Sequence, residues 1–291
     1  MMTSAPDRLR PVPATLPTEG HVIAAVEAFL RAPLPQGRDG MSALSRTGLL
    51  AISIPAAFGG ADISNTIVAE AVSRLAVSSK DLAIHFARHL VALELLRTSG
   101  SIEQRKALYT RVVLGETFER LSILPGDPVP RLVRQGLSFT VEPAPAPGPA
   151  SEADWRVVAG LGPGTVEVAA ILPGTHWQAE DDEAVPSAAT SVSPDHVLEM
   201  APEASLLAEF METFLDGAIL RGEYDDASGS GMPDNLSVEF ELLDAMILKV
   251  ASVIDIIQVD QSQLDVARIL RLRQALEAAR RRSGGATVRG R

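Results

Sequence analysis

The sequence predicts an α+β fold that is mostly helical, with a small β-section between two helical regions. Three observations lead there. Apolar residues recur at helical spacing from residue 18 to 114, and again from about 203 to 282. Between them the β-formers Val166, Val168 and Ile171 mark Thr165–Leu172 as the clearest strand. Proline and glycine punctuate the joins, most densely at 143–150. Hydrophobic residues make up 46% of the 291, enough for a sizeable core, which excludes global disorder.

The opening stretch, residues 1–17, is Pro-rich and reads as loose. Thr18 is placed to cap a first helix whose apolar face is Val22, Ile23, Val26, Phe29 and Leu30. Pro33 and Pro35 stop it. Met41–Thr47 reads as a short helix ended by Gly48, and Leu49–Pro55 as a short extended segment. Phe58-Gly59-Gly60-Ala61 is a turn. Ser64 or Asn65 then caps a helix to about Val77, with Ile67, Val68, Val72 and Leu75 inward. A longer helix covers about Asp81–Thr98; His85 and His89, four apart, share one of its faces. Ser101-Ile102-Glu103-Gln104 is a capping box, and the helix it opens runs to about Leu114 before Gly115.

The middle changes character. Leu132–Val141 and Trp155–Ala159 are strand-like, so the β-layer should hold four to five short strands. Residues 143–150 cannot be a central strand, because proline removes ladder donors. The acidic run Glu180–Glu183 reads as a solvated loop. Helices return at about Glu203–Arg221, Ser237–Ile257 and Gln263–Arg282, with Tyr224–Gly231 as an acidic loop between the first two. Four parts result: a flexible N-terminus 1–17, a helical domain 18–122, a small β-domain 123–200 and a helical domain 201–291.

Charge and composition exclude several classes. Net charge is -11, which disfavours a nucleic-acid polyanion as partner. With Cys 0 there is no disulfide, thiolate nucleophile or cysteine metal site, and the five histidines form no zinc motif. No apolar run reaches the roughly 20 residues that span a bilayer. A soluble cytoplasmic protein is the expectation. The last helix carries Arg268, Arg271, Arg273, Arg280, Arg281 and Arg282, a local reversal of sign suited to an acidic partner or a phosphate.

Gly48-Leu49-Leu50-Ala51-Ile52-Ser53-Ile54-Pro55 followed by Phe58-Gly59-Gly60-Ala61 resembles the N-terminal segment of the acyl-CoA dehydrogenase superfamily. His89, Ala92–Leu96, Gly100–Arg105 and Leu114-Gly115-Glu116 resemble its flavin-dependent monooxygenase branch, the dibenzothiophene-desulfurisation and sulfur-assimilation type. A weaker likeness to the family's β-domain runs through Ala153–Trp155, Val166–Val168 and Asp195–Val197.

This resemblance implies an oxidoreductase using FMN or FAD on a small-molecule substrate or acyl thioester. In the monooxygenase version a separate reductase supplies reduced flavin. His89 matches the histidine that acts beside the flavin, and Ser122, Arg271 and Arg273 are the implied cofactor contacts. No metal is implied. The family assembles through its C-terminal helices, so a homo-oligomer is expected, and the apolar helix at 237–257 fits that.

The departures point elsewhere. The chain is shorter than family members, and Pro143–Ala150 occupies the place of a flavin-contacting strand. The alternative is a divergent, non-catalytic, flavin-free relative that binds a ligand or pairs with a complete flavoprotein subunit. Each named residue also has an ordinary role open to it. His89 can be a satisfied histidine on a helix face, Ser122 a hydroxyl bonded to backbone, and the arginines a solvated helix surface.

Overall fold

A computed structural model describes residues 13–33, 38–121, 128–142, 153–174, 191–201, 203–227 and 234–289. Ser122, the Pro-rich run 143–150, the acidic run 180–183 and Trp177 lie outside the described residues. Five helices come first: α1 (Glu19–Leu30), α2 (Arg38–Ser45), α3 (Asn65–Ser78), α4 (Lys80–Ser99) and α5 (Ile102–Val113). Seven strands follow: β1 (Phe118–Leu121), β2 (Arg131–Gln135), β3 (Ser138–Glu142), β4 (Trp155–Leu161), β5 (Glu167–Pro173), β6 (Ser191–Val192) and β7 (Val197–Glu199). Three long helices complete the fold: α6 (Ala204–Ala227), α7 (Asp234–Val259) and α8 (Val266–Arg289). No described helix is long and apolar enough to cross a membrane.

Local chemistry explains the helix starts. Thr18 accepts from the His21 N–H and opens α1. Both halves of the Ser101–Gln104 capping box form: Gln104 N–H donates to Ser101 Oγ at 3.2 Å, and Ser101 N–H to Gln104 Oε1 at 3.0 Å. The same Gln104 amide donates to the Val197 carbonyl at 2.9 Å, tying α5 to β7. Gln104→Ala should therefore cost about 1–2 kcal/mol, more than an isolated cap reciprocator. A thermal melt checks this, and an unchanged midpoint would show the tie to be idle.

The sheet runs β6-β3-β2-β4-β5-β7, and β1 lies parallel to the first half of β4, pairing Phe118 with Trp155 through to Leu121 with Val158. Alternation along β4 splits its side chains between two cores. Val157 faces the helical core with Phe86, Leu90, Phe210, Phe214 and Ile247. Val158 faces a smaller core with Leu132, Val141, Ala170, Leu172 and Val192.

Three expectations need correction. Leu49–Pro55 is not extended. Gly48 sits at φ 83°, in the left-handed region that glycine enters without strain, and Leu49–Ala51 winds into a 3-10 turn. Leu49, Leu50, Ile52 and Ile54 are all buried, which a tight turn permits and an alternating strand does not. Tyr224–Ala227 is not loop: it continues α6, and the Tyr224 ring stacks on Phe240 of α7. The sheet also has seven strands among the described residues, more than the four to five expected, because β1, β6 and β7 join it.

Candidate ligand cleft

The chemistry-bearing side chains gather where α4, β1 and α6 meet. Ser79 caps α4 by accepting from the Leu82 N–H. Glycine at position 222 lets α6 come close to α3. A cleft of about 260 Å³ remains between α4, β1 and α6. Its floor is apolar: Ile84, Ala87, Val91, Leu215 and Ile219. Its rim is charged: Arg88 of α4, Arg120 of β1, and Glu212 and Asp216 of α6.

The rim charges are paired. Arg88 donates to Glu119 at 2.9 Å, Arg120 to Glu212 at 2.7 Å, and Arg280 of α8 to Asp216. His85, half-buried, places Nδ1 4.0 Å from Glu119 Oε1. Burial raises the Asp216 carboxyl above its usual range, and Glu212 pushes the same way; Arg280 opposes both. The result is an apolar slot ending in two carboxylates that sit four apart on one helix face.

Behind this wall lies His89. It is fully buried. The Phe118 N–H donates to Nδ1 at 3.0 Å, so the proton is on Nε2, which donates to the Leu50 carbonyl at 3.0 Å. Burial drives its pKa down to about 4, against these two bonds and the Asp154 carboxylate. The ring is neutral at pH 7, and both of its nitrogens are engaged by backbone.

Of the other implied contacts, Ser122 lies outside the described residues, and Arg271 and Arg273 lie on α8. Arg273 bridges α8 to α6, donating to Glu277 at 3.1 Å and to Glu209. Arg271, two residues earlier, is exposed and has no ion pair among the described residues. Arg88, Arg120, Glu212 and Asp216 were not singled out from the sequence. The readable signal was Glu212 and Asp216 at i and i+4, interrupting the apolar run Phe210-Met211…Phe214-Leu215.

These residues do not fit a flavin well. The cleft is smaller than the roughly 300–1,000 Å³ of most cofactor-sized sites. A flavin's dione edge and phosphate are acceptors and call for donors, yet the cleft ends in carboxylates and each of its guanidinium groups is in an ion pair, with, of their buried atoms, only Arg120 Nε left without a partner among the described residues.

Residues 21–116 match the model of the acyl-CoA dehydrogenase N-terminal domain. No curated protein sequence matches the chain. Among solved structures, TdsC from Paenibacillus sp. A11-2 with FMN and indole is 16% identical with a TM-score of 0.64, over 90% of this chain and 80% of that one. Methanesulfinate monooxygenase MsuC from Pseudomonas fluorescens is 17% identical with a TM-score of 0.61, over 89% and 79%. XiaF from Streptomyces sp. in complex with FADH2 is 12% identical with a TM-score of 0.65, over 90% and 81%. Residues 21–116 are thus similar to an acyl-CoA dehydrogenase N-terminal domain, and the chain as a whole has the fold of these structures.

Proposed function

We propose that this chain is a small-molecule-binding protein on a flavoenzyme fold, with its ligand in the α4–β1–α6 cleft and no tightly held flavin of its own. One observation carries the reading: the cleft is an apolar slot closed by carboxylates, with its cations already paired. Such a slot takes a compact aromatic or aliphatic body with a hydrogen-bond donor at one end, received by Glu212 or Asp216. Engagement of both His89 nitrogens supports the same reading, since a proton shuttle needs a free lone pair.

Fold similarity favours a second reading, a flavin-dependent oxidoreductase of the monooxygenase or dehydrogenase kind. There His89 stands beside FMN or FAD, Ser122, Arg271 and Arg273 contact the cofactor, and a separate reductase is the partner. The support is the likeness, over nine-tenths of this chain, to enzymes whose structures hold FMN or FADH2.

Titration of the pure protein with FMN and with FAD, followed by flavin fluorescence, separates the two. We expect no saturable binding up to about 100 µM. Indole, an aromatic body with one N–H donor, should bind by calorimetry, and Ile84→Trp, which fills the slot from a half-buried position in its apolar lining, should abolish that binding. Saturable flavin binding would replace the first reading with the second. Indole binding unaffected by Ile84→Trp would move the ligand out of the cleft.

A further inference from the structure

One atom in the wall of the α4–β1–α6 cleft has no role yet. Arg120 lines the cleft, and its Nη1 donates to Glu212 at 2.7 Å. Its Nε is buried and has no hydrogen-bond partner among the described residues. Folded chains seldom leave a buried donor in that state, because it has given up water and received nothing in return. The Arg120 side chain is 13% exposed, so bulk solvent is a poor source of the acceptor. The described open space beside it is the cleft.

Charge sets the character of the acceptor. On the rim Arg88 and Arg120 are balanced by Glu212 and Asp216. A carboxylate ligand would bring a further negative charge against two carboxylates already there, whereas a neutral carbonyl brings none.

Spacing sets where that carbonyl lies on the ligand. Asp216 follows Glu212 by four on α6, so their Cβ atoms stand about 5–6 Å apart on one face. Arg120 is fastened to Glu212 and marks one end of this pair. Asp216, fastened to Arg280, marks the other. A carboxylate has lone pairs for more than one donor, so Asp216 can accept from a ligand while it holds Arg280.

We propose that the ligand of this cleft is a neutral aromatic compound with a carbonyl on one edge and an N–H or O–H donor on the opposite edge. The carbonyl accepts from Arg120 Nε, the donor goes to Asp216, and the ring lies on Ala87, Val91 and Leu215. This rests on the reading of the cleft given under Proposed function and adds an acceptor to it. Arg120 keeps Glu212 throughout, because that bond uses Nη1, and a guanidinium offers its N–H groups as a fork with several edges. Anchored at one nitrogen, the group is free to pivot its Nε edge toward the ligand.

The test compares ligands that differ in the carbonyl. 3-Methylindole and indole-3-carbaldehyde have nearly the same shape and the same N–H. Burying a carbonyl without a partner costs affinity, so the sign of the preference reports the partner. Calorimetry on the full chain should show the aldehyde binding about tenfold more tightly, a difference of about 1.4 kcal/mol. Indole-3-carboxylate should bind more weakly than the aldehyde. Arg120→Lys keeps a cation for Glu212 and removes Nε. With a circular dichroism spectrum like the parent's, this variant should no longer prefer the aldehyde. If 3-methylindole binds the parent chain as tightly as the aldehyde, the carbonyl has no partner and the inference fails while the cleft reading stands; that result needs no variant. A preference that survives in Arg120→Lys, or a carboxylate that outbinds the aldehyde, overturns the inference as well. Binding of neither neutral compound overturns the cleft reading, and this inference with it.

Discussion

His89→Ala should lower the stability of this protein by about 5 kcal/mol, one of the two largest effects expected from a single substitution in it. The side chain is fully buried, and it is the only described partner that links the Leu50 carbonyl to the Phe118 N–H. Removing it orphans two buried backbone groups at about 1–3 kcal/mol each and opens a cavity the size of a ring in a close-packed core. His89→Gln, whose amide can accept at one end and donate at the other, should recover part of the loss. Urea unfolding midpoints measure all three proteins. A catalytic histidine predicts the opposite pattern, intact stability with turnover gone.

The same residue gives the stability a pH signature. Its folded pKa lies at about 4, below the ordinary 6.5. Between these values the unfolded chain takes up a proton that the folded chain refuses. The stability linked to His89 is therefore complete above pH 6.5 and drains as pH falls toward 4. The full loss is about 3 kcal/mol. Carboxylates add their own acid dependence, so the test is the difference between the parent and His89→Gln. That difference should shrink steadily as pH falls through this window. A difference independent of pH would show that the imidazole is not held neutral.

How much of this was readable from the residues alone follows from the range of the interactions involved. The helices were legible because their signals are local: apolar period, the Thr18 cap and the Ser101–Gln104 box all lie within one or two turns. β1 was not, because Phe-Glu-Arg-Leu has no strand pattern of its own. It is a strand because β4, nearly forty residues on, supplies its hydrogen-bond partners and because His89 receives the Phe118 N–H. The turn after Gly48 was misread for the opposite reason. Four buried aliphatic residues in seven look like a strand, and only the packing against α4 and α5 selects the tighter form. The cleft was half visible. Glu212 and Asp216 announce a polar face on α6, but their arginine partners come from β1 and α8.

Gly222→Ala should destabilise the fold by about 2–3 kcal/mol, although alanine is the better helix former by about 1 kcal/mol. The two effects oppose each other, and geometry decides between them. A Cβ on Gly222 would lie 2.1 Å from the Ser73 carbonyl oxygen of α3 and 3.0 Å from Ala76 Cβ. Ordinary carbon–oxygen contact is about 3.3 Å or more. The obstacle is backbone, so no rotamer change relieves it, and α3 and α6 must part by about an ångström. Separation at that point also pulls on the neighbouring Arg221, which joins α6 to Ser73 at 3.1 Å, to Asp244 of α7 at 2.9 Å and to Glu70 of α3. Gly217 on the same helix is the control. There a Cβ would meet Ile247 and Leu276 at 3.5 Å, an ordinary packing distance, so Gly217→Ala should be neutral or gain up to about 1 kcal/mol. Thermal melts of the two variants should move apart in opposite directions. If both shift alike, propensity rules this helix and the close α3–α6 approach contributes nothing to its stability.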